Sequence, residues 1–251
     1  MPNSRAEIGI GLKSVSEVQF RVKPAAQTGF RTRIAPPTPI SPRALGGAAS
    51  GKYISGPRVA RADYATIGSW VADSAHVLDL GCGDGALLAY LAAQRRASGY
   101  GIEIDDAGVL ASVRNGINVI QSDLERGLAG FDDAAFDVVI LSQTLQAMRR
   151  VEAIVAEMLR VGREAIVTFP NFGHWTHRMQ ILRGRMPVST SLPYQWYDTP
   201  NIHLCTVNDF DAFLGARGYR ILDRVILAQG RPVRFAPNLT GELAIYRFRK
   251  K

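Results

Sequence analysis

The stretch Val77-Leu-Asp-Leu-Gly-Cys-Gly-Asp-Gly85 constrains this chain more than any other. A short apolar run, Val77–Leu80, breaks into glycines at alternate positions, and Leu87, Leu88 and Leu91 then recur at helical spacing within Ala86–Ala93. That pattern reads as a strand that passes through a glycine loop straight into a helix. Glycines let the backbone approach a ligand closely, and a helix start offers free N–H groups to an anion. The loop alone leaves two ligands open. Gly81, Gly83 and Ala86 satisfy the dinucleotide pattern G-x-G-x-x-G/A, which would seat a pyrophosphate. Asp79 and Asp84 argue against it, because carboxylates before and inside the loop repel a pyrophosphate and suit a ligand with an ammonium group. Glu103 and Asp123, each at a strand end, are placed to hold two separate hydrogen-bonding groups of one nucleoside.

Around this loop, strands and helices alternate. Gly99–Ile104, Ile117–Gln121, Phe136–Leu141 and Glu164–Phe169 read as strands, with helices at Ala107–Arg114 and Val151–Val161 between them. Repeated alternation of this kind implies a largely parallel sheet with helices on both faces. After Pro170 the regularity lapses into an aromatic, proline-bearing stretch that lasts to Leu204. A helix at Val207–Ala216 then opens on the capping-box pattern Thr206-x-x-Asp209 and closes at Gly218. Tyr219–Leu227 and Glu242–Phe248 complete the chain as two strands expected to pair antiparallel.

The charge is unevenly placed. Residues 1–60 hold nine lysines and arginines against two glutamates, which leaves the other 191 residues within one charge of neutral despite a net +8 overall. A domain this close to neutral has no basic footprint, so nucleic-acid binding is not its expected work. The same first stretch holds seven of the thirteen prolines and the small-residue run Gly46–Gly51. Residues 1–57 therefore read as a disordered basic tail, with 58–251 as the folded domain. A transit peptide fits less well, because Gly9, Gly11 and Pro24 interrupt any amphipathic helix. Cys82 and Cys205 lie too far apart in sequence for a metal-ligand pair and form no disulfide framework, so no metal is expected and a reducing cytoplasm is the expected location. No apolar run approaches the roughly 18 residues of a membrane span.

The glycine loop, Glu103 at 24 positions after Asp79, and Ser122-Asp-Leu124 together resemble the class I S-adenosylmethionine (SAM) methyltransferase fold. The resemblance implies a Rossmann-like seven-stranded sheet. It also implies that Asp79, Gly81 and Gly83 line the amino-acid end of the cofactor, that Glu103 binds the ribose hydroxyls, and that Asp123, with Leu124 beside it, binds the adenine amine. Ser142 and Gln143, at the end of Phe136-Asp-Val-Val-Ile-Leu-Ser-Gln143, would border the methyl group. Leu141-Ser-Gln-Thr-Leu-Gln-Ala147, Phe169-Pro-Asn-Phe-Gly-His-Trp175, Gly184-Arg-Met-Pro-Val188 and the stretch from Leu192 to Leu204 are similar to a narrower family, the methionine biosynthesis protein MetW. That resemblance runs from about residue 58 to the end. It implies a cytoplasmic accessory protein that accompanies a homoserine O-acyltransferase.

Catalytic residues are not identified by the sequence. The Asn-Pro-Pro-Tyr element of amino-group methyltransferases is absent after the fourth strand, where Ser142-Gln-Thr-Leu145 stands. His174, His177, Tyr194, Tyr197, Asp198 and His203 are candidate acid–base groups, while Phe172, Trp175, Trp196 and Tyr197 suit a lid or a protein interface. Cys82 has no histidine near it in sequence to make it a nucleophile, and Cys205 reads as a small buried apolar residue. Two functions stay open: a regulatory subunit with a SAM-type pocket, and an active methyltransferase on a small acceptor. A nicotinamide-dependent reductase lacks a Tyr-x-x-x-Lys pair or other proton donor.

Overall fold

In the strands that follow, side chains alternate between two hydrophobic cores. The computed structural model describes residues 59–251, so the expected tail at 1–57 lies outside the described residues. In β1 (His76–Leu80), Leu78 and Leu80 enter one core and Val77 the other. β4 (Phe136–Ser142) separates Val139 and Leu141 from Val138 and Ile140, and β5 (Gly162–Pro170) separates Val167 and Phe169 from Ile166 in the same way. Strands covered on both faces need apolar residues at nearly every position, which is why these three read as continuous runs.

With β2 (Ser98–Glu103), β3 (Val119–Gln121), β6 (Tyr219–Ala228), β7 (Arg231–Pro232) and β8 (Leu243–Lys250), they form one sheet in the order β3-β2-β1-β4-β5-β8-β6-β7. The first five positions pair in parallel, and β8 runs antiparallel between β5 and β6, as expected for the closing pair. The sheet has eight strands where seven were expected. The extra one is β7, a two-residue edge strand folded back on β6 through Gln229 and Gly230, both at positive φ. A pairing that short shows no alternation in sequence, and the Pro232 nitrogen has no ladder bond to donate.

α1 (Val59–Trp70) and α2 (Ala86–Arg95) cover one face through Ile67, Leu87, Leu88 and Leu91. α4 (Val151–Val161) and α6 (Val207–Ala216) cover the other through Val155, Met158, Phe210 and Leu214. Burial of each such side chain stabilises the fold by about 1.5–3 kcal/mol. Phe210 anchors the second face, with ring centroids 4.9 Å from Phe169 and 4.8 Å from Tyr246. α3 (Asp106–Arg114) is capped by Asp105, whose carboxylate accepts from the Gly108 N–H at 2.9 Å. The capping box of α6 forms as read, with Thr206 and Asp209 exchanging bonds. The irregular stretch contains a helix that was not expected, α5 (Trp175–Leu182). Its large apolar residues Trp175, Met179, Ile181 and Leu182 face outward, so no buried stripe marks it. A short α7 (Pro237–Thr240) precedes β8. No helix among the described residues is long and apolar enough to cross a membrane.

Strand order reverses its direction of growth between β1 and β4. In open α/β sheets a crevice forms outside the carboxyl ends of the strands at such a point, and the glycine loop leaves β1 at that place.

Candidate functional site

The loop after β1 is tied down by its own backbone. Gly81 and Cys82 donate to the Ile102 carbonyl at 2.8 and 3.0 Å, and Gly85 donates to the Cys82 carbonyl at 2.9 Å. Gly81 and Gly83 have φ of 72° and 57°, a region costly for other residues. At Gly81 a Cβ would also lie 2.7 Å from Thr144 Oγ1. Glu103, at the end of β2, braces this loop from the side. One of its oxygens accepts from the Gly83 N–H at 2.8 Å and the other from the Ile104 and Asp105 N–H groups, each at 2.9 Å.

Beside the loop opens a cleft of about 750 Å³. All seven residues singled out from the sequence, Asp79, Gly81, Gly83, Glu103, Asp123, Leu124 and Ser142, line it. The strand order arranges them in a row along the carboxyl edge: Asp123 and Leu124 beyond β3, Glu103 on β2, Asp79 on β1, Ser142 on β4. Asp123 also caps the turn at Leu124–Arg126, accepting from the Glu125 N–H at 2.9 Å. Ser142 Oγ lies 3.2 Å from Thr168 Oγ1 on the neighbouring strand.

Asp79 is the most perturbed of the row. It is 2% exposed, and one carboxylate oxygen has no hydrogen-bond partner. Burial, with the Glu103 charge nearby, pushes its carboxyl up to about 7. A buried acceptor of this kind is poorly satisfied by the protein alone and well satisfied by a ligand cation. Together with the cradle at Gly81, it fits a ligand that carries a positive centre.

The sequence reading missed Asp63 and Tyr64 on α1. Tyr64 lines the cleft. Asp63 is fully buried, and its carboxylate accepts from Gln143 Nε2 at 3.4 Å. A signal was present: Asp63, Ile67 and Val71 follow at intervals of four, which puts a carboxylate on the buried stripe of a helix.

The candidate acid–base groups stand elsewhere. His174 and His177 are buried, hydrogen-bonded to Thr176 Oγ1 at 2.7 Å and Ser189 Oγ at 2.9 Å, and burial holds both below the usual histidine range. Asp198 accepts from the Gln195 N–H at 2.7 Å. Of residues 171–204, Pro200 lines the cleft; His174, His177, Tyr194, Tyr197, Asp198 and His203 do not. Cys82 lines it, but burial and the Asp79 charge push the thiol up to about 12, which leaves no thiolate to act as a nucleophile. Cys205, expected to be buried, is half-buried in the wall of a second cavity.

That second cavity is an apolar groove of about 820 Å³ between α4, α6 and the chain at 192–205, floored by Leu145, Phe169, Leu192, Phe210 and Phe213. It shares a wall with the cleft, because Leu145 and Gln146 line the groove while Thr144, Ala147 and Met148 line the cleft. The backbone carbonyl of Gln146 accepts from the Ile202 and His203 N–H groups at 2.8 and 3.0 Å, fastening the 200–205 strand of chain over that wall. Trp196 and Tyr197, earlier in the same segment, are 72% and 71% exposed.

The family model described as methionine biosynthesis protein MetW matches residues 61–248. The chain belongs to the MetW family. Its match in Rhodopirellula baltica, the bifunctional methionine biosynthesis protein MetXA/MetW, is 38% identical over 189 residues. The match covers 70% of this chain and 30% of that protein, so the chain spans under a third of the relative's length. Among solved structures, an S-adenosylmethionine dependent methyltransferase from Mesorhizobium loti matches with a TM-score of 0.57 at 14% identity, over 75% of this chain and 98% of that one. The cyclase SpnF matches with a TM-score of 0.53 at 17% identity, over 76% and 80%. At these identities the structures show the fold, and this MetW-family domain has the α/β fold of the SAM-dependent methyltransferases. The cyclase shows that one fold carries more than one chemistry.

Proposed function

We propose that this MetW-family chain binds an adenosyl nucleoside, SAM, in the glycine-loop cleft and acts as an accessory or regulatory subunit of a homoserine O-acyltransferase. The partner reading is carried by the bifunctional relative, in which a region 38% identical to this chain is joined to MetXA in one polypeptide. Joined domains of one relative are natural candidates for separate subunits that meet. The nucleoside reading is supported by the row of acidic groups along the sheet edge and by the unpartnered Asp79 carboxylate. When bound, SAM supplies a positively charged sulfonium with a transferable methyl group. Asp79 would hold the ammonium end, Glu103 the ribose hydroxyls, and Asp123 with Leu124 the adenine. Gly81 and Gly83 leave the space that the chain of the ligand needs.

Methyl transfer is the less supported reading, because none of the acid–base candidates at 174–203 lines the cleft and an acceptor often needs a base within hydrogen-bond reach. The exposed aromatic segment beyond Pro170 suits a partner surface instead. A cytoplasmic location goes with this biosynthetic role. Calorimetric titration of SAM and S-adenosylhomocysteine, with and without the homoserine acyltransferase, tests both halves. Saturable nucleoside binding and a stable complex are expected. Methyl transfer to a small acceptor, with no complex, would replace the accessory role by the enzymatic one.

A further inference from the structure

Among the described residues, two carboxylate oxygens are buried without a hydrogen-bond partner: one on Asp79 and one on Asp63. An unpartnered buried acceptor is costly, and more so when it is ionised. A fold that keeps two such groups has a use for them.

Asp63 sits fully buried on α1, and its other oxygen accepts from Gln143 Nε2. Gln143 and Tyr64, its two links to the surroundings, both line the cleft. No ion pair among the described residues reaches Asp63 or Asp79. Burial first, and then the charges of Asp79, Asp63 and Asp84, hold the Tyr64 hydroxyl proton well above the usual tyrosine range. Gln143 is kept in place by two bonds from its N–H, to the Thr168 carbonyl at 3.0 Å and to Thr168 Oγ1 at 2.9 Å, at a φ of 51°.

The strand order gives this placement a direction. Asp123, Glu103, Asp79 and Gln143 follow one another along the edge as β3, β2, β1 and β4 do. On the nucleoside reading above, on which this inference rests, base and ribose occupy the first two positions. The remainder of the ligand then lies across β1 and β4, where Asp79 and Gln143, the hydrogen-bond partner of Asp63, stand. SAM carries two positive centres there, an ammonium and a sulfonium, whereas S-adenosylhomocysteine carries the ammonium alone.

We propose that Asp63, buried behind the cleft wall, acts through Gln143 as a second anionic group of the site, and that with Asp79 it makes the site select an adenosyl sulfonium over the neutral thioether. Asp79 serves the centre common to both nucleosides, and Asp63 serves the one that distinguishes them. A purely structural role for Asp63, holding Gln143 in place, would affect the two nucleosides alike.

The test is calorimetric titration of the full chain with SAM and with S-adenosylhomocysteine, for the wild type, Asp63→Asn and Asp79→Asn. The wild type is expected to bind SAM tighter than the thioether by roughly tenfold, the scale of one partly screened charge contact. Asp63→Asn is expected to lose that preference, with SAM weakened and the thioether unchanged, and Asp79→Asn to weaken both. A wild type that binds the thioether as tightly as SAM overturns the proposal without recourse to any variant. So does an Asp63→Asn protein that keeps the wild-type preference or weakens both nucleosides equally. If neither nucleoside binds the wild type, the nucleoside reading itself fails, and that outcome is distinct from loss of selectivity.

Discussion

Glu103→Gln and Glu103→Ala should separate two tasks of one side chain. In the structure Glu103 joins the end of β2 to the glycine loop through three backbone N–H groups, on Gly83, Ile104 and Asp105. Hydrogen bonds to a charged acceptor contribute about 1.5–3 kcal/mol each. The full sum is not expected, because Ile104 and Asp105 are exposed and water can replace the lost acceptor there. Gly83 is half-buried and bears most of the loss, so Glu103→Ala should destabilise the ligand-free protein by about 2–3 kcal/mol. At roughly 2–4 °C per kcal/mol for a domain of this size, Tm falls by ~4–12 °C. Glutamine keeps the shape but has one acceptor end. Turned to satisfy Ile104 and Asp105, its amide NH₂ faces the Gly83 N–H, donor against donor, and only the loop tie is lost. Glu103→Gln should therefore cost about 1–2 kcal/mol of stability. Both variants should weaken SAM by about 1.5–3 kcal/mol through the lost ribose contacts. Urea unfolding, with and without saturating SAM, gives both quantities. Equal destabilisation by Gln and Ala, or none by either, would refute the brace. Unchanged SAM affinity would remove Glu103 from the ribose.

Asp123→Ala should weaken SAM in the same direction as the Glu103 variants but less, since one amine contact is lost, as titration would show. Asp79 is raised to about 7 against an ordinary 3.8, so the folded state binds its proton more tightly than the unfolded chain does. Its contribution to stability is present below about pH 4 and is lost as pH rises toward 7, and Asp79→Asn should flatten that part of a Tm-against-pH curve while weakening SAM. Deleting residues 1–55 should leave Tm nearly unchanged, because so Pro-rich and charge-biased a segment cannot bury enough apolar area to offset its ordering; a loss of several degrees by calorimetry would show otherwise. Trp175→Ala and Trp196→Ala should abolish co-purification with the homoserine acyltransferase and leave SAM titration intact. Full partner binding together with a lost methyl-transfer activity would instead favour the enzyme.

The cleft was legible in sequence where a residue that lines it coincides with a strand end. Glu103 and Asp123 follow apolar runs whose length fixes where the carboxyl edge falls, and Asp79 lies on the strand just before the loop that the glycines mark. Asp63 was missed although it stands on the buried stripe of its helix, because that helix precedes the first strand and its link to the cleft is a long-range contact with Gln143, eighty residues on. α5 escaped notice for the opposite reason. A helix that turns Trp175, Met179, Ile181 and Leu182 outward has no amphipathic stripe facing the core, so neither period stands out. β7 is simply too short to carry a pattern.

The wall between the two cavities has a thermodynamic corollary. Thr144 to Met148 is one short piece of backbone with a face in each space, pinned from above by two N–H groups on the Gln146 carbonyl. Any displacement that enlarges one space is taken from the other. If a nucleoside below and an acyltransferase segment above each prefer a position of that wall, their affinities are bound by reciprocity: the factor by which the nucleoside strengthens the complex equals the factor by which the partner tightens the nucleoside. The coupling can then be measured from whichever side is easier to titrate, and a factor of one from both sides would mean that the wall does not link the two sites.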